Sequence, residues 1–163
     1  MITIRSAQLR DLPAIGEIMR ASPEAAHWSR AQWQQAISAD IALVAAAGPA
    51  GPEELQGFLV ARRAGPEWEL QNIAVAPESR RQQIAQKLLQ NLLQQAQVAA
   101  AEAVFLEVRA SNLAARALYQ AAGFRQHAVR RQYYAGPPDD AILYRIGLAP
   151  RVENPPSAAP ECH

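Results

Sequence analysis

The chain predicts a mixed α/β fold, a mostly antiparallel sheet with helices on both faces. Three observations carry that reading. Strand-like runs follow one another through turn signals between residues 41 and 75, as hairpins do. A 3.6-residue apolar periodicity then marks a long helix from Ile84. Beyond it a strand, a helix and two strands complete the order β-α-α-β-β-β-α-β-α-β-β. Strands joined first by hairpins and later by helical crossovers call for a mixed sheet.

Met1–Arg5 alternates as a short strand. Leu9, Leu12, Ile15, Ile18 and Met19 follow at helical spacing, with Pro13 in the first turn, where it is tolerated. After Ser22-Pro23 a second helix spans Ser29–Ile37, with Ser29 as its cap and Trp33 and Ile37 on one face. Trp28 and Trp33 either line a groove or anchor this helix, and His27 beside them reads as a surface or satisfied residue. Ile41–Ala47 and Leu55–Ala61 form a hairpin about the glycine- and proline-dense turn 48–52. In the next strand the apolar residues are Trp68 and Leu70, then Ile73 and Val75. The phase therefore slips by one, as a β-bulge would make it.

A loop from Pro77 runs into the long helix, whose apolar face (Ile84, Leu88, Leu89, Leu92, Leu93, Ala96) is opposed by glutamines. Val104, Phe105, Leu106 and Val108 make a nearly continuous apolar strand, as if covered on both faces, with Glu107 interrupting it. Ser111 and Asn112 are N-cap candidates for a helix carrying Leu113, Ala117, Leu118 and Ala121, and Gly123 stops it. Phe124–Tyr134 and Asp140–Gly147 are the last two strands. Residues 149–163 hold four prolines and few large apolar side chains, so the expected division is one domain over 1–148 and a tail over 149–163.

The 163 residues suit one domain with a real core. Sixteen basic and fifteen acidic residues give a net charge of +1, which argues against nucleic acid or an anionic membrane as partner. The lone cysteine, Cys162, excludes an internal disulfide and a cysteine-based metal site. With no signal peptide and no apolar run near the ~20 residues of a membrane span, the expectation is a soluble cytoplasmic protein.

Glu107 and Tyr119 sit on adjoining elements, so a carboxylate and a phenol can face one site and serve proton removal and proton donation. Each also has a plainer reading, Glu107 on a solvated edge and Tyr119 as a core aromatic. Arg80 and Arg81 precede the free amides at the start of the long helix, a pairing that attracts phosphate or simply forms a solvated cap.

Leu-Glu-Val-Arg-Ala-Ser-Asn over 106–112, followed by Ala-Leu-Tyr and Gly-Phe, resembles the GNAT superfamily of N-acetyltransferases, and specifically its RimI-type ribosomal-protein-alanine N-acetyltransferase branch. The similarity covers about residues 2–147, most specifically 72–134. It implies the GNAT fold with acetyl-CoA as acetyl donor and no metal. Arg80-Arg81-Gln82-Gln83-Ile84-Ala85, with Gln86 following, occupies the place of the family's pyrophosphate loop. One residue departs from that pattern: Gln83 stands where the family has glycine. The expectation is that Gln83 lies in the first helical turn with ordinary helical dihedrals, its N–H still available to phosphate.

The resemblance further implies that the backbone of Ile73-Ala74-Val75 pairs with the pantetheine arm. An N–H there, at Ile73 or Ala74, would stabilise the oxyanion. Glu107 would be the base, Tyr119 the proton donor to the departing thiolate, and Asn112 a cofactor or water contact. Arg130-Arg131-Gln132-Tyr133-Tyr134 with Asp140-Ala141-Ile142 is similar to the last hairpin of RimI-type enzymes, which would set Tyr133 and Tyr134 beside the acceptor groove; Trp28, on its groove-lining reading, is the third substrate-binding candidate. As sequence alone has it, the two tyrosines are equally sheet-packing residues. The implied function is acetylation of the α-amino group of an N-terminal alanine, on a small-subunit ribosomal protein. The alternatives are a GNAT enzyme for other protein N-termini or small amines, and a catalytically impaired binding protein on account of Gln83.

Overall fold

The computed structural model of the chain describes residues 1–23, 25–48, 53–80 and 82–149. The elements follow the expected order: β1 (Ile2–Ser6), α1 (Leu12–Arg20), α2 (Arg30–Ala39), β2 (Ile41–Ala47), β3 (Glu54–Ala64), β4 (Glu67–Val75), α3 (Ile84–Val98), β5 (Ala103–Arg109), α4 (Leu113–Ala121), β6 (Arg125–Tyr134) and β7 (Asp139–Gly147). The 149–163 tail lies outside the described residues from 150 on, as does most of the turn at 48–52. No helix among the described residues is long and apolar enough to cross a membrane.

The strands form one seven-stranded sheet in the order β1-β2-β3-β4-β5-β7-β6. Every neighbouring pair is antiparallel except β4 and β5. Because side chains alternate across a strand, the sheet supports two cores. On one face α1 and α2 bury Ile15, Ile18 and Trp33 against Val44, Phe58 and Val60. On the other, α3 and α4 bury Ile84, Leu88, Leu89, Leu92 and Tyr119 against Leu43, Leu59, Leu106 and Tyr144.

Local signals explain the helix ends. Ser29 caps α2 in a reciprocal box: its hydroxyl accepts from the Gln32 N–H, and the Gln32 side-chain oxygen accepts from the Ser29 N–H. Gly123, at φ +101°, follows the end of α4 in a conformation that a side chain would strain. Between the two helix N-cap candidates, Asn112 is the one that caps α4, accepting from the Ala115 N–H at 3.2 Å. Ser111 instead donates its hydroxyl to Asp139 at 2.6 Å.

Three expectations need correction. Leu9 does not belong to the first helix; it sits half-exposed in a 3-10 turn before it, because α1 buries its stripe from Ile15 onward. Strand β5 is not covered on both faces. Val104, Leu106 and Val108 are buried, whereas Phe105, Glu107 and Arg109 are half-open, since α1 and α2 pack on β2, β3 and β4 and reach no further. Gln83 is the third, and its conformation bears on the site.

Candidate active site

The phase slip read in β4 is a bulge. Val60 is opposite Asn72 and Ala61 is opposite Leu70, which leaves Gln71 unmatched. Trp68 and Leu70 therefore share the α3 core with Ile73 and Val75, while Asn72 and Ala74 turn to the α1–α2 face. The bulge twists β4 away from β5. The two strands pair only over Glu67–Glu69 and Ala103–Phe105, so from Leu70 to Val75 the β4 edge that faces β5 has no ladder partner. Unpaired backbone groups at such an edge are a template for an added extended chain.

A cleft of about 650 Å³ fills the gap. It runs from one face of the sheet to the other. Arg80, Ala85, Leu118 and Tyr119 line it from the α3–α4 side. Ser22, Pro23, Ala25, Ala26 and His27, from the loop between α1 and α2, line it on the other. Glu107 and the β4 segment Leu70–Val75 stand between them.

Helix α3 aims its N-terminus at this opening. No side chain caps it, and the Lys87 N–H is the first to find its helical acceptor, on Gln83, so the amides of Ile84, Ala85 and Gln86 remain available. The helix comes this close because Gly57 carries no side chain. A Cβ there would lie 2.9 Å from the Ala74 carbonyl oxygen, 3.2 Å from Ile84 and 3.3 Å from Leu88. Gln83 is not in the first helical turn. It is the N-cap residue, at φ 60° and ψ 24°, in the left-handed region. There glycine is at ease and a side chain costs roughly 1–2 kcal/mol. The turn is one that suits glycine, and Gln83 strains it.

Glu107 is 24% exposed, and its Oε1 lies 3.3 Å from Nη1 of Arg130 on β6. That guanidinium also lies over the Tyr133 ring, 5.4 Å from its centre. Arg109 stacks on Tyr134 at 4.3 Å and donates to the carbonyls of Pro137 and Ala135, which ties the β6–β7 turn to the end of β5. Burial raises the Tyr134 hydroxyl above the ordinary phenol range, and the Glu107 charge adds to the rise. Tyr119 is 6% exposed, and burial alone pushes its pKa well above that of a free phenol. Like any phenol it holds its proton at neutral pH, and burial tightens that hold. Arg116, one turn before it on α4, donates to the Tyr144 hydroxyl at 3.0 Å and to the Ala110 carbonyl at 2.9 Å, tying α4 to β7 and to the residue that follows β5.

Of the residues singled out in the sequence, Ile73, Ala74, Val75, Arg80, Ala85, Glu107, Asn112, Tyr119 and Tyr134 line the one cleft. Ile84 is buried in the core, so only its N–H faces the opening; Gln82, Gln83 and Gln86 are exposed beside it. Arg81 lies outside the described residues. Trp28 and Tyr133 are not among the lining residues. The Trp28 ring packs 5.5 Å from Trp33 on the α2 core, and Tyr133 is 52% exposed beside Tyr134. Sequence reasoning missed Gly57, Asn72 and the lining role of His27. A lone glycine inside an apolar strand was a usable signal of close approach. So was an asparagine in a strand otherwise rich in apolar residues.

Residues 7–124 match the profile of the Acetyltransferase (GNAT) family. The ribosomal protein bS18-alanine N-acetyltransferase of Salmonella typhimurium is 34% identical over 99 residues, which is 60% of this chain and 67% of the relative. The crystal structure of the ribosomal-protein-S18-alanine N-acetyltransferase from Escherichia coli superposes with a TM-score of 0.79 at 31% identity, covering 95% of this chain and 99% of that one. Arabidopsis thaliana NAA60 in complex with acetyl-CoA shares the fold at a TM-score of 0.78, 20% identity and 90% and 98% coverage.

Proposed function

The chain belongs to the GNAT acetyltransferase family, and from that premise we propose that it transfers acetyl from acetyl-CoA to the α-amino group of a protein N-terminus, an N-terminal alanine of a small-subunit ribosomal protein. The observation that carries this reading is the open stretch of β4. It brings an unpaired strand edge, an uncapped helix N-terminus, a carboxylate and a buried phenol to one passage through the sheet. The names of the Salmonella and Escherichia coli relatives point to the acceptor. A ribosomal-protein acceptor fits a reaction in the cytoplasm, and the proposed catalytic domain spans residues 1–148.

The residues fit a coenzyme A thioester. Free amides of Ile84, Ala85 and Gln86, at the positive end of α3, suit a pyrophosphate, and Arg80 adds charge. The edge at Ile73–Val75 offers N–H and C=O groups to an extended amide chain. Acetyl-CoA supplies the acetyl group when bound. An N–H of Ile73 or Ala74 stabilises the oxyanion that forms as the amine attacks. An α-amino group has a pKa of about 7.7–8.0, so most of it is protonated at neutral pH; Glu107, directly or through a water, takes the proton that the attacking nitrogen must lose. Tyr119, a buried phenol protonated at neutral pH, returns a proton to the departing thiolate. Asn112, while capping α4, borders the cleft, where it would contact the cofactor or a water. The left-handed turn at Gln83 argues against an impaired binding protein, because the loop holds the shape that a glycine would give it.

Incubation with acetyl-CoA and peptides beginning with Ala, Ser or Met, or with small polyamines, followed by intact mass, tests the reading. A gain of one acetyl on the Ala-starting peptide, blocked by prior modification of its α-amine, is expected. Acetylation of lysine side chains or polyamines alone would overturn it.

A further inference from the structure

We propose that Asn72 is a positioning residue that pins the α1–α2 loop to β4 and so sets the wall against which the acceptor lies. The inference rests on the acetyl-transfer reading for what the wall contacts, and on the structure for the pin. Asn72 is the residue just past the bulge, so the bulge is what turns its side chain from the α3 core to the α1–α2 face. It is 5% exposed, where an amide is costly unless hydrogen-bonded. Its Nδ2 donates to the carbonyl of Ala26 at 2.8 Å, across 46 residues of sequence.

Ala25 and Trp28 anchor the loop to the α1–α2 core by packing, but its polar ties are few. Its own backbone bonds are local, Ser22 N–H to Met19 and Ala25 N–H to Ser22. The Ser22 hydroxyl is buried and finds no partner. Among the described residues, Asn72 makes the one hydrogen bond from this loop to the sheet. Both ends of that bond border the cleft, and Ile73 and Ala74, the oxyanion candidates, come directly after Asn72. The pin therefore fixes the gap between the loop wall and the strand edge where transfer occurs. The pyrophosphate contacts, at the α3 amides and Arg80, lie on the far side of the sheet and do not depend on it.

Asn72→Leu keeps the volume and removes the donor. In the full chain, hydrogen exchange of peptides spanning residues 20–30 should quicken by about tenfold, the scale of one lost hydrogen bond. The KM for an Ala-starting peptide should rise by about tenfold, with acetyl-CoA affinity by calorimetry within about twofold of native. Should Asn72→Leu fail to fold by circular dichroism, Asn72→Ser, whose hydroxyl stops short of Ala26, takes its place. Unchanged loop exchange overturns the pin. Faster loop exchange with an unchanged peptide KM overturns the acceptor wall, and parallel losses of peptide and acetyl-CoA binding reduce Asn72 to a general structural role. The exchange experiment uses no substrate, so native protein that acetylates no peptide would sink the proposed function while exchange still decides the pin.

Discussion

Arg130 Nη1 lies 3.3 Å from Glu107 Oε1, reaching from β6 past the intervening β7 to the carboxylate on β5. The Arg130 side chain is 57% exposed, so water screens the pair and its worth to stability stays below ~1 kcal/mol. Its consequence is for binding. An acceptor amine that reaches Glu107 must share the carboxylate with Arg130 or displace it. Arg130→Gln is expected to move the melting midpoint by less than ~4 °C and to lower the KM for the acceptor peptide. A raised KM would put Arg130 on the acceptor instead of in its path.

Glu107→Gln keeps the shape of the cleft and removes the proposed base. Turnover should fall by ~10²–10⁴-fold, with acetyl-CoA affinity essentially kept. The deficit should narrow above pH ~8, where the acceptor amine is largely neutral without help. A variant as active as the native protein at every pH would take Glu107 out of the mechanism.

Burial holds the Tyr119 phenol above its ordinary pKa, so the folded state grips this proton more tightly than the unfolded chain does. The sign follows: the contribution to stability is complete below the unfolded value, near pH 10, and is lost as pH rises from there toward the folded value. Unfolding monitored above pH 10 should lose up to ~1.4 kcal/mol per pH unit through this group, and Tyr119→Phe should flatten that slope. The same variant should cut turnover by ~10²-fold or more with the fold intact. An unaltered alkaline slope would locate the titration elsewhere, and unaltered turnover with chemistry limiting would remove the acid.

Gln83 pays a conformational penalty that glycine would not. Because it is an N-cap in the left-handed region and not a helical residue, Gln83→Gly loses no helix propensity there. Relief of ~1 kcal/mol should raise the melting midpoint by a few degrees and tighten acetyl-CoA by no more than about tenfold. Gln83→Ala, equally strained, should do neither. Equal effects from glycine and alanine would assign the change to the lost side chain and not to the backbone.

Gly57→Ala should do the opposite. Its Cβ has backbone at 2.9 Å on one side and α3 at 3.2 Å on the other, so either β4 or the start of α3 must move. Overpacking of this kind costs ~1–3 kcal/mol, and acetyl-CoA affinity should fall with stability. Calorimetry showing native affinity would mean that the shift is absorbed away from the α3 amides.

The order of elements, the Ser29 cap, the Gly123 stop and the bulge in β4 were legible in the sequence because each is written in contiguous residues, through propensity, capping chemistry and the phase of apolar positions. The phase slip could even say that Ile73 and Val75 share a face with Trp68 and Leu70. Family resemblance then pointed to Glu107 and Tyr119, whose local sequence suits a solvated edge and a core aromatic just as well. Only the tertiary structure decided where β4 stops pairing with β5, that Arg130 lies on Glu107, that Asn72 reaches Ala26, and that Trp28 packs on Trp33 and not in the cleft. These depend on strand order and on contacts between residues far apart in the chain, about which local periodicity is silent. Gln83 marks the boundary between the two. Helix propensity favoured a helical glutamine, yet Gln83 sits in the left-handed region at the entry to α3, so the path of the chain into the helix prevails over the preference of a single residue.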